Sequence, residues 1–504
     1  MSNAVATTLA SALEDLHKRV AALVATEGPD AHQIDVDRYV WCHAHAQAAR
    51  AMRRWADSTG HPLVQELAEI AEEQAVAMLL GSDQSTATRL DRRLAELAQR
   101  MIPLEDVGAD ESHRLLRSTL RDFAVREIEP HAQDIHRGDL DVPEHVIKGI
   151  AQLGLFGLSV PTQYGGAKES SDFEAMLIAT EELSRASLAA GGSLITRPEI
   201  LVQALLRGGT EEQKRLWLPA IAAGEKMVAV AVTEPDYGSD VAALKCRATR
   251  LADGTWEITG TKLWCTFAGR SELLMVLCRT SDARHRGLSL FVLEKPAFPG
   301  HAFEYHQPGG GSIRGRAIPT IGYRGMHTFE LAFDAFRAPA IALVGGEEWL
   351  DRGFYLQMDG FAMGRVQTAG RAVGVMQAAF DSAVSYAKQR VVFGKPEFEF
   401  PLIQAKIGTM ALRVHASRQL AYEAARLLNI GQGQIDASTA KLYASRMAEL
   451  VTREAMQVHG AMGYGEETNA ARYFVDGRVL AIFEGAEEVL SLRVIGRTLF
   501  GGQS

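Results

Sequence analysis

Apolar residues follow two different rhythms along this chain. In the first hundred residues Leu13, Val20 and Leu23, then Tyr39, Ala46, Ala49 and Met52, recur near helical spacing among Ala, Glu and Arg. A period of 3.6 puts such positions on one face, so helices are expected. Breaks at Gly28-Pro29, Gly60-His61-Pro62 and Gly81-Ser82-Asp83 cut this stretch into about four of them. Ile102-Pro103-Leu104 marks a boundary, giving an N-terminal helical extension over 1–103. From 104 to 225 the helical texture continues. Leu115, Leu116, Leu120, Phe123 and Ala124 form an amphipathic stripe ending near Pro130, and Thr210-Glu211-Glu212-Gln213 has the form of a capping box.

Between 226 and 345 the rhythm shortens. Val228–Thr233, Trp256–Thr259, Leu273–Leu277, Leu288–Leu293 and Phe329–Phe333 are short, apolar or alternating, and bounded by turns, which predicts strands. Ala252-Asp253-Gly254 predicts a hairpin turn. Gly309-Gly310-Gly311 reads as a flexible loop. From 346 to 504 long helical periodicity returns, with few breakers before Gly431-Gln432-Gly433. The expected fold is therefore mainly α with a central β-domain. A helical extension (1–103) precedes a helical domain (104–225), a β-domain (226–345) and a C-terminal helical bundle (346–504).

Composition narrows the function. The chain has 504 residues, 47% hydrophobic and 23% charged, which excludes a disordered protein. Its 53 basic and 62 acidic side chains give a net charge of −9, which argues against nucleic acid or an anionic membrane as partner. Cys42, Cys246, Cys265 and Cys278 fall in no metal-ligand or disulfide spacing, so no metal site is expected and a reducing cytoplasm fits. The apolar run at Leu273–Cys278 is too short to span a bilayer. Glu14, Asp15, Lys18 and Arg19 interrupt the first segment, which reads as a mature helix and not a signal peptide.

No Walker A loop, GxGxxG helix start, GxSxG elbow or HExxH helix is present. Val232-Thr233-Glu234-Pro235-Asp236-Tyr237-Gly238-Ser239-Asp240 does stand out, directly after an apolar strand. Its Gly-Ser pair can offer backbone N–H groups and a hydroxyl to a phosphate or flavin edge. Alone, it reads equally well as a strand followed by an ordinary turn.

Three further segments join it in order: Gly260-Thr261-Lys262-Leu263-Trp264-Cys265-Thr266, then Arg390-Val391-Val392-Phe393-Gly394-Lys395-Pro396, then Gln457-Val458-His459-Gly460-Ala461 leading to Ile482-Phe483-Glu484-Gly485-Ala486. On this layout the set resembles the acyl-CoA dehydrogenase family of FAD flavoproteins, over about 105–500. The resemblance implies that Val232, Thr233, Gly238 and Ser239 meet the flavin and its pyrophosphate, with Ser239 also near the acyl-CoA. It implies that Trp264 lies by the isoalloxazine and that Thr266 bonds to it. Core packing is the alternative for the indole. Arg390 and Phe393 are expected to reach the FAD of a neighbouring subunit in a homodimer or homotetramer, although an arginine at a helix end also neutralises the helix dipole. Gln457, Gly460 and Ala461 are expected to cradle the adenine side, and Ala486 and Glu488 to border the cofactor.

Glu484 matches the family's catalytic base; otherwise it is a first-turn acid of the helix beginning near Ala486. Removing a proton α to a thioester needs a carboxylate close to that carbon and shielded from water. Phe483 and Gly485 supply an apolar wall and room for approach, and Arg365 matches an arginine near the active site. The resemblance implies that the thioester oxygen is polarised by the Glu484 backbone N–H and a ribityl hydroxyl. It further implies an electron-transferring flavoprotein as partner. Pro401 stands where most members carry Gln, and Ala486 replaces the usual Thr. With Gly322-Tyr323-Arg324-Gly325-Met326 and Gly192-Ser193-Leu194-Ile195-Thr196-Arg197-Pro198, these departures resemble the branch that oxidises methylsuccinyl-CoA to mesaconyl-CoA. Ser193, Thr196 and Arg197 then line the pocket for a dicarboxylyl thioester. The alternative for Arg197 is a surface ion pair with Glu199 or a neighbouring helix. Other readings are a dehydrogenase for another short or branched acyl-CoA, an acyl-CoA oxidase on the same fold, or a non-catalytic or DNA-binding flavoprotein, the last opposed by the acidic charge.

Overall fold

The structure, a computed structural model, describes residues 2–101, 103–167 and 172–501. Ile102, in the expected boundary motif, lies outside the described residues. The first helices are α1 (Ser2–Glu27), α2 (Gln33–Thr59), α3 (Pro62–Leu80), α4 (Gln84–Gln99) and α5 (Glu111–Phe123). Next come α6 (Glu129–Gly138), α7 (Glu144–Gln152), α8 (Phe173–Ala186), α9 (Thr196–Gly208) and α10 (Glu211–Ala222). Eight strands follow: β1 (Val228–Ala231), β2 (Arg247–Arg250), β3 (Trp256–Thr266), β4 (Leu273–Arg279), β5 (Leu288–Glu294), β6 (Ala302–His306), β7 (Ser312–Ala317) and β8 (Thr328–Ala338). The C-terminal part carries α11 (Gly353–Gln389), α12 (Pro401–Asn429), α13 (Gln434–His459), α14 (Ala461–Tyr464) and α15 (Asn469–Val479). A small hairpin, β9 (Val391–Val392) with β10 (Lys395–Pro396), separates α11 from α12. The chain folds into two compact bodies, one of residues 1–122, 184–186 and 368–504, the other of 123–183 and 187–367.

In the first body the helix breaks fall at the expected residues. Gly60 closes α2 at φ 62, a left-handed cap that costs glycine little. Pro62 opens α3, and the Asp83 carboxylate caps α4 by accepting from Thr86 N at 2.7 Å. The extension is built into the C-terminal bundle. Trp55 Nε1 donates to Val107 O at 2.8 Å, and its ring stacks on His415 of α12 at 5.5 Å. The Arg446 guanidinium of α13 lies 4.4 Å over the Trp41 ring, and Gln99 donates to Gln404 at 2.9 Å.

α4 packs closely on α12 at Gly408, where an added Cβ would stand 2.2 Å from the Leu94 carbonyl oxygen. Gly→Ala in an open helix stabilises by about 1 kcal/mol. Here the sign reverses, because backbone must move to admit the methyl. Gly408→Ala is expected to lower the melting temperature by several degrees, at a cost of about 1–3 kcal/mol; a raised melting temperature in thermal unfolding would show that α4 does not dock here.

The second body holds the sheet, in the order β1-β4-β2-β3-β8-β7-β6 with β5 also paired to β4. β4 is buried at all seven positions because both its faces are covered, which explains its unbroken apolar run. On one face Leu273, Met275 and Leu277 pack with Leu201, Leu205, Trp217 and Leu218 of α9 and α10. On the other, Leu274, Val276 and Cys278 join Trp256, Phe291, Phe329 and Phe333. The capping box at Thr210 and Gln213 forms reciprocally. The 252–254 turn joins β2 to β3, with Gly254 at φ 83. β1 stops at Ala231, two residues short of the expected end, so that Val232 and Thr233 enter the following turn. Among the described residues no helix is long and apolar enough to cross a membrane.

Candidate active site

The motif residues occupy both bodies. In the second, Val232 is buried and the Thr233 carbonyl accepts from Leu263 N at 2.8 Å, which ties the exit of β1 to β3. Glu234 and Tyr237 close a tight turn by exchanging backbone bonds of 3.0 and 3.1 Å, leaving Gly238 and Ser239 exposed. The loop is anchored from beneath by Glu234, whose carboxylate accepts from Lys245 N at 2.7 Å and Cys246 N at 2.8 Å. Lys262, fully buried, donates to Glu234 at 2.9 Å and to Val232 O at 3.0 Å. Sequence reasoning missed this pair, because a lysine in an alternating strand reads as solvent-facing.

β3 is bulged between Lys262 and Cys265, where its register against β8 shifts. Trp264 sits on the bulge at φ 60 and is 54% exposed. A bulky residue in the left-handed region costs on the order of 1–3 kcal/mol and persists only where the surroundings over-determine it. Core packing is thereby set aside for this indole. Thr266 returns to register, buried, with its Oγ1 3.2 Å from that of Thr328. An exposed indole held in a strained turn, two residues from a buried hydroxyl and in the same body as the open Gly238-Ser239 loop, fits a planar ring cofactor with a phosphate tail.

The same body holds Arg197, which is only 7% exposed. Its Nη1 donates to the Tyr323 hydroxyl at 2.8 Å and, at 3.5 Å, to the carbonyl of the fully buried Ser193. No carboxylate of the described residues pairs with it. The expected alternative, a surface ion pair with Glu199, does not form. Glu199 is itself buried, accepts from Gln203 at 2.7 Å, and is pushed up to about 7 by loss of solvent. The neighbouring Thr196 hydroxyl is buried without a partner among the described residues. Arg365, half-buried, lies on α11. Two residues on, Gln367 is fully buried with neither end of its amide bonded within the described protein, a position the sequence did not single out. Such groups in a native fold call for a ligand or water.

In the first body the turn after α15 presents Glu484 at φ 54, between Phe483 and Gly485 at φ 100. Its carboxylate accepts from the Thr368 hydroxyl at 2.8 Å and from Arg371 Nη2 at 2.6 Å. Arg371 is fully buried, also bonds Thr368 at 2.6 Å, and lies 4.7 Å over the Phe483 ring. These bonds hold the carboxylate on α11 and leave its side chain only 9% exposed. The Gly485 carbonyl accepts from Lys441 at 2.6 Å, which fixes the turn from α13. Thr368, Arg371 and Lys441 carried no motif and are recognisable only in three dimensions. Ala486 stands at a helix start without a side-chain cap, the structural result of the lost hydroxyl. Glu487 pairs with Arg446, while Glu488 is exposed.

Arg390 follows the end of α11, exposed, and Phe393 stands at φ 49 on the adjoining hairpin with 97% of its surface exposed. Gln457 is exposed in the last turn of α13, and Gly460 and Ala461 lie exposed at the start of α14. That corner is pinned by His459, which bonds Ala455 O at 2.7 Å and Ser382 Oγ at 3.1 Å and stacks on Tyr386 at 4.5 Å.

Three family models match in succession: the acyl-CoA dehydrogenase N-terminal domain over 110–225, the middle domain over 229–336 and the C-terminal domain over 351–500. The chain is 39% identical over 396 residues to (2S)-methylsuccinyl-CoA dehydrogenase of Cereibacter sphaeroides, covering 78% of this chain and 70% of that protein. It is 35% identical over 398 residues to the mitochondrial short-chain specific acyl-CoA dehydrogenase of Bos taurus, covering 78% and 92%. Butyryl-CoA dehydrogenase from Megasphaera elsdenii superimposes with a TM-score of 0.72 at 29% identity, over 78% of this chain and 99% of that one. The chain therefore belongs to the acyl-CoA dehydrogenase family of FAD enzymes, oxidoreductases that act on the CH–CH bond of an acyl-CoA.

Proposed function

We propose that this enzyme dehydrogenates a short, branched dicarboxylyl thioester, (2S)-methylsuccinyl-CoA, to mesaconyl-CoA. The observation that carries the reading is Arg197, a buried cation with a phenol and a carbonyl as its hydrogen-bond partners and no carboxylate paired with it among the described residues. Burying a charge is costly unless it is paired. A distal substrate carboxylate supplies the missing charge, and the unpartnered Thr196 hydroxyl a further bond to it. The likeness to methylsuccinyl-CoA dehydrogenase supports this substrate, and the short-chain enzymes at nearly the same identity are the natural rivals.

Glu484 removes the α-proton, and its backbone N–H polarises the thioester oxygen. FAD, when bound, supplies the acceptor for the β-hydride. Val232, Thr233, Gly238, Ser239, Trp264 and Thr266 hold the flavin and pyrophosphate, with Ser239 and Arg365 also towards the thioester. Phe483 and Gly485 border the reacting carbons. Arg390, Phe393, Gln457, Gly460 and Ala461 serve the cofactor of a second copy of the chain, which gives the exposed Phe393 a partner. Ala486 and Glu488 border the cofactor. Reduced enzyme passes its electrons to an electron-transferring flavoprotein.

The test is anaerobic flavin bleaching with methylsuccinyl-, glutaryl-, isobutyryl- and butyryl-CoA. Methylsuccinyl-CoA is expected to bleach fastest, with reoxidation faster by an electron-transferring flavoprotein than by oxygen. Fastest bleaching by butyryl-CoA would remove the dicarboxylyl specificity and leave the dehydrogenase; faster reoxidation by oxygen would make it an oxidase.

A further inference from the structure

Away from the motifs, the second body gathers Asp139, His301 and His327. Asp139 closes α6 at φ 49, His301 immediately precedes β6, and His327 immediately precedes β8 at φ 46. One ligand atom from each lies within 4.8 Å of the others. His301 Nε2 is 3.2 Å from Asp139 Oδ2, His327 Nδ1 is 3.5 Å from Asp139 Oδ1, and the two imidazole centroids are 4.1 Å apart. His327 is buried, Asp139 half-buried and His301 exposed, so the cluster opens to solvent on one side.

A fourth residue decides what this cluster accepts. Asp141 Oδ1 lies 2.9 Å from His327 Nε2, while its Oδ2 accepts from Gly300 N at 2.8 Å. Asp141 thus sits at the far nitrogen of His327, and Nδ1 is the nitrogen nearest Asp139. A carboxylate that orients a histidine through its far nitrogen is the recurrent outer shell of a metal-bound imidazole. Bonds of about 2.0–2.2 Å in a tetrahedron separate neighbouring ligand atoms by about 3.3 Å, close to the two histidine–aspartate spacings of 3.2 and 3.5 Å. Two imidazoles and one carboxylate favour a borderline transition metal over calcium or magnesium, which prefer oxygen. Arg324 stands 3.9 Å from Asp139, but its guanidinium is committed to the Thr320 carbonyl at 3.0 Å and the His136 carbonyl at 2.8 Å.

We propose that Asp139, His301 and His327 bind a divalent transition-metal ion of the Zn(II) class, with Asp141 orienting His327. The proposal departs from the sequence-based expectation of no metal site, which is argued from cysteine spacing. The ion ties the Asp139–Asp141 loop to the 320–327 segment, already joined by Val142 N to Gly325 O at 2.9 Å. That segment carries Tyr323, the partner of Arg197, and the His327 carbonyl that accepts from Phe267 N at 2.8 Å beside Thr266. The metal is therefore a staple near the substrate and flavin residues and takes no part in the redox step.

Untagged full-length holoenzyme, freed of metal with chelator and then of chelator, would be titrated with Zn(II) by calorimetry and its zinc environment read by X-ray absorption. The expected result is one ion per chain, nitrogen and oxygen ligands with two imidazoles, and no sulfur. His301→Ala, at an exposed position, is expected to weaken binding at least tenfold with metal-free turnover unchanged, and Asp141→Asn to weaken it by about 10–100-fold. No binding at millimolar zinc, sulfur in the coordination shell, or wild-type affinity in His301→Ala would overturn the proposal.

Discussion

Glu484→Gln is expected to lower kcat by about 10²–10⁴, and by more where no water can substitute, while FAD content and acyl-CoA affinity stay close to wild type. The amide keeps the shape of the carboxylate. Its oxygen can still accept from Arg371 Nη2, which also bonds Thr368 Oγ1, so the fully buried guanidinium keeps its acceptors and the turn from Phe483 to Gly485 keeps its position. What the variant loses is the ability to take a proton. Equal Kd for a thioester by flavin spectral titration, together with absent bleaching, would identify the step as proton removal. Half of wild-type turnover would mean that another group is the base. Arg371→Met provides a contrast: it keeps the carboxylate and its bond from Thr368 but removes one of the two donors that position it. The rate should then fall by less than in Glu484→Gln, because the base itself remains.

The second large effect concerns substrate choice. Arg197→Met is expected to lower kcat/KM for methylsuccinyl-CoA by a factor corresponding to about 2–5 kcal/mol, and to leave 2-methylbutyryl-CoA nearly unaffected. At 1.4 kcal/mol per decade this is roughly 30-fold to several thousandfold. A purely structural role predicts a different pattern. Met is an apolar side chain of similar reach, and replacing a buried cation that lacks a counter-charge should not destabilise the free protein. The substrate-free variant should therefore melt at or above the wild-type temperature even as it loses the dicarboxylyl thioester. Equal losses for both thioesters, or a wild type that prefers the neutral one, would detach Arg197 from specificity. Tyr323→Phe should reproduce a smaller part of the effect, because it removes a single hydrogen bond that holds the guanidinium in place.

Periodicity and punctuation in the sequence determined the helical and strand regions, because those signals are local. Gly60, Pro62 and Asp83 act within one turn of where they stand, and the run Leu273–Cys278 is apolar because both faces of β4 are covered. The order of four short motifs determined the family and singled out Glu484. Local rules could not reach the supports of those motifs. Lys262 and Glu234 lie 28 residues apart, and Arg371 and Glu484 lie 113 apart. A lone lysine in a strand, or an arginine in a long helix, reads as solvent-facing until the fold removes the solvent. Nor could the sequence choose between a surface ion pair and a buried Arg197 bonded to a phenol, since that turns on the distance of Tyr323, 126 residues away. The Asp139, His301 and His327 cluster joins three chain segments with no ligand spacing between them, so only their closure in space makes it a site. Sequence carried what neighbours along the chain decide; tertiary structure decided burial and charge pairing, and with them the chemistry each side chain can perform.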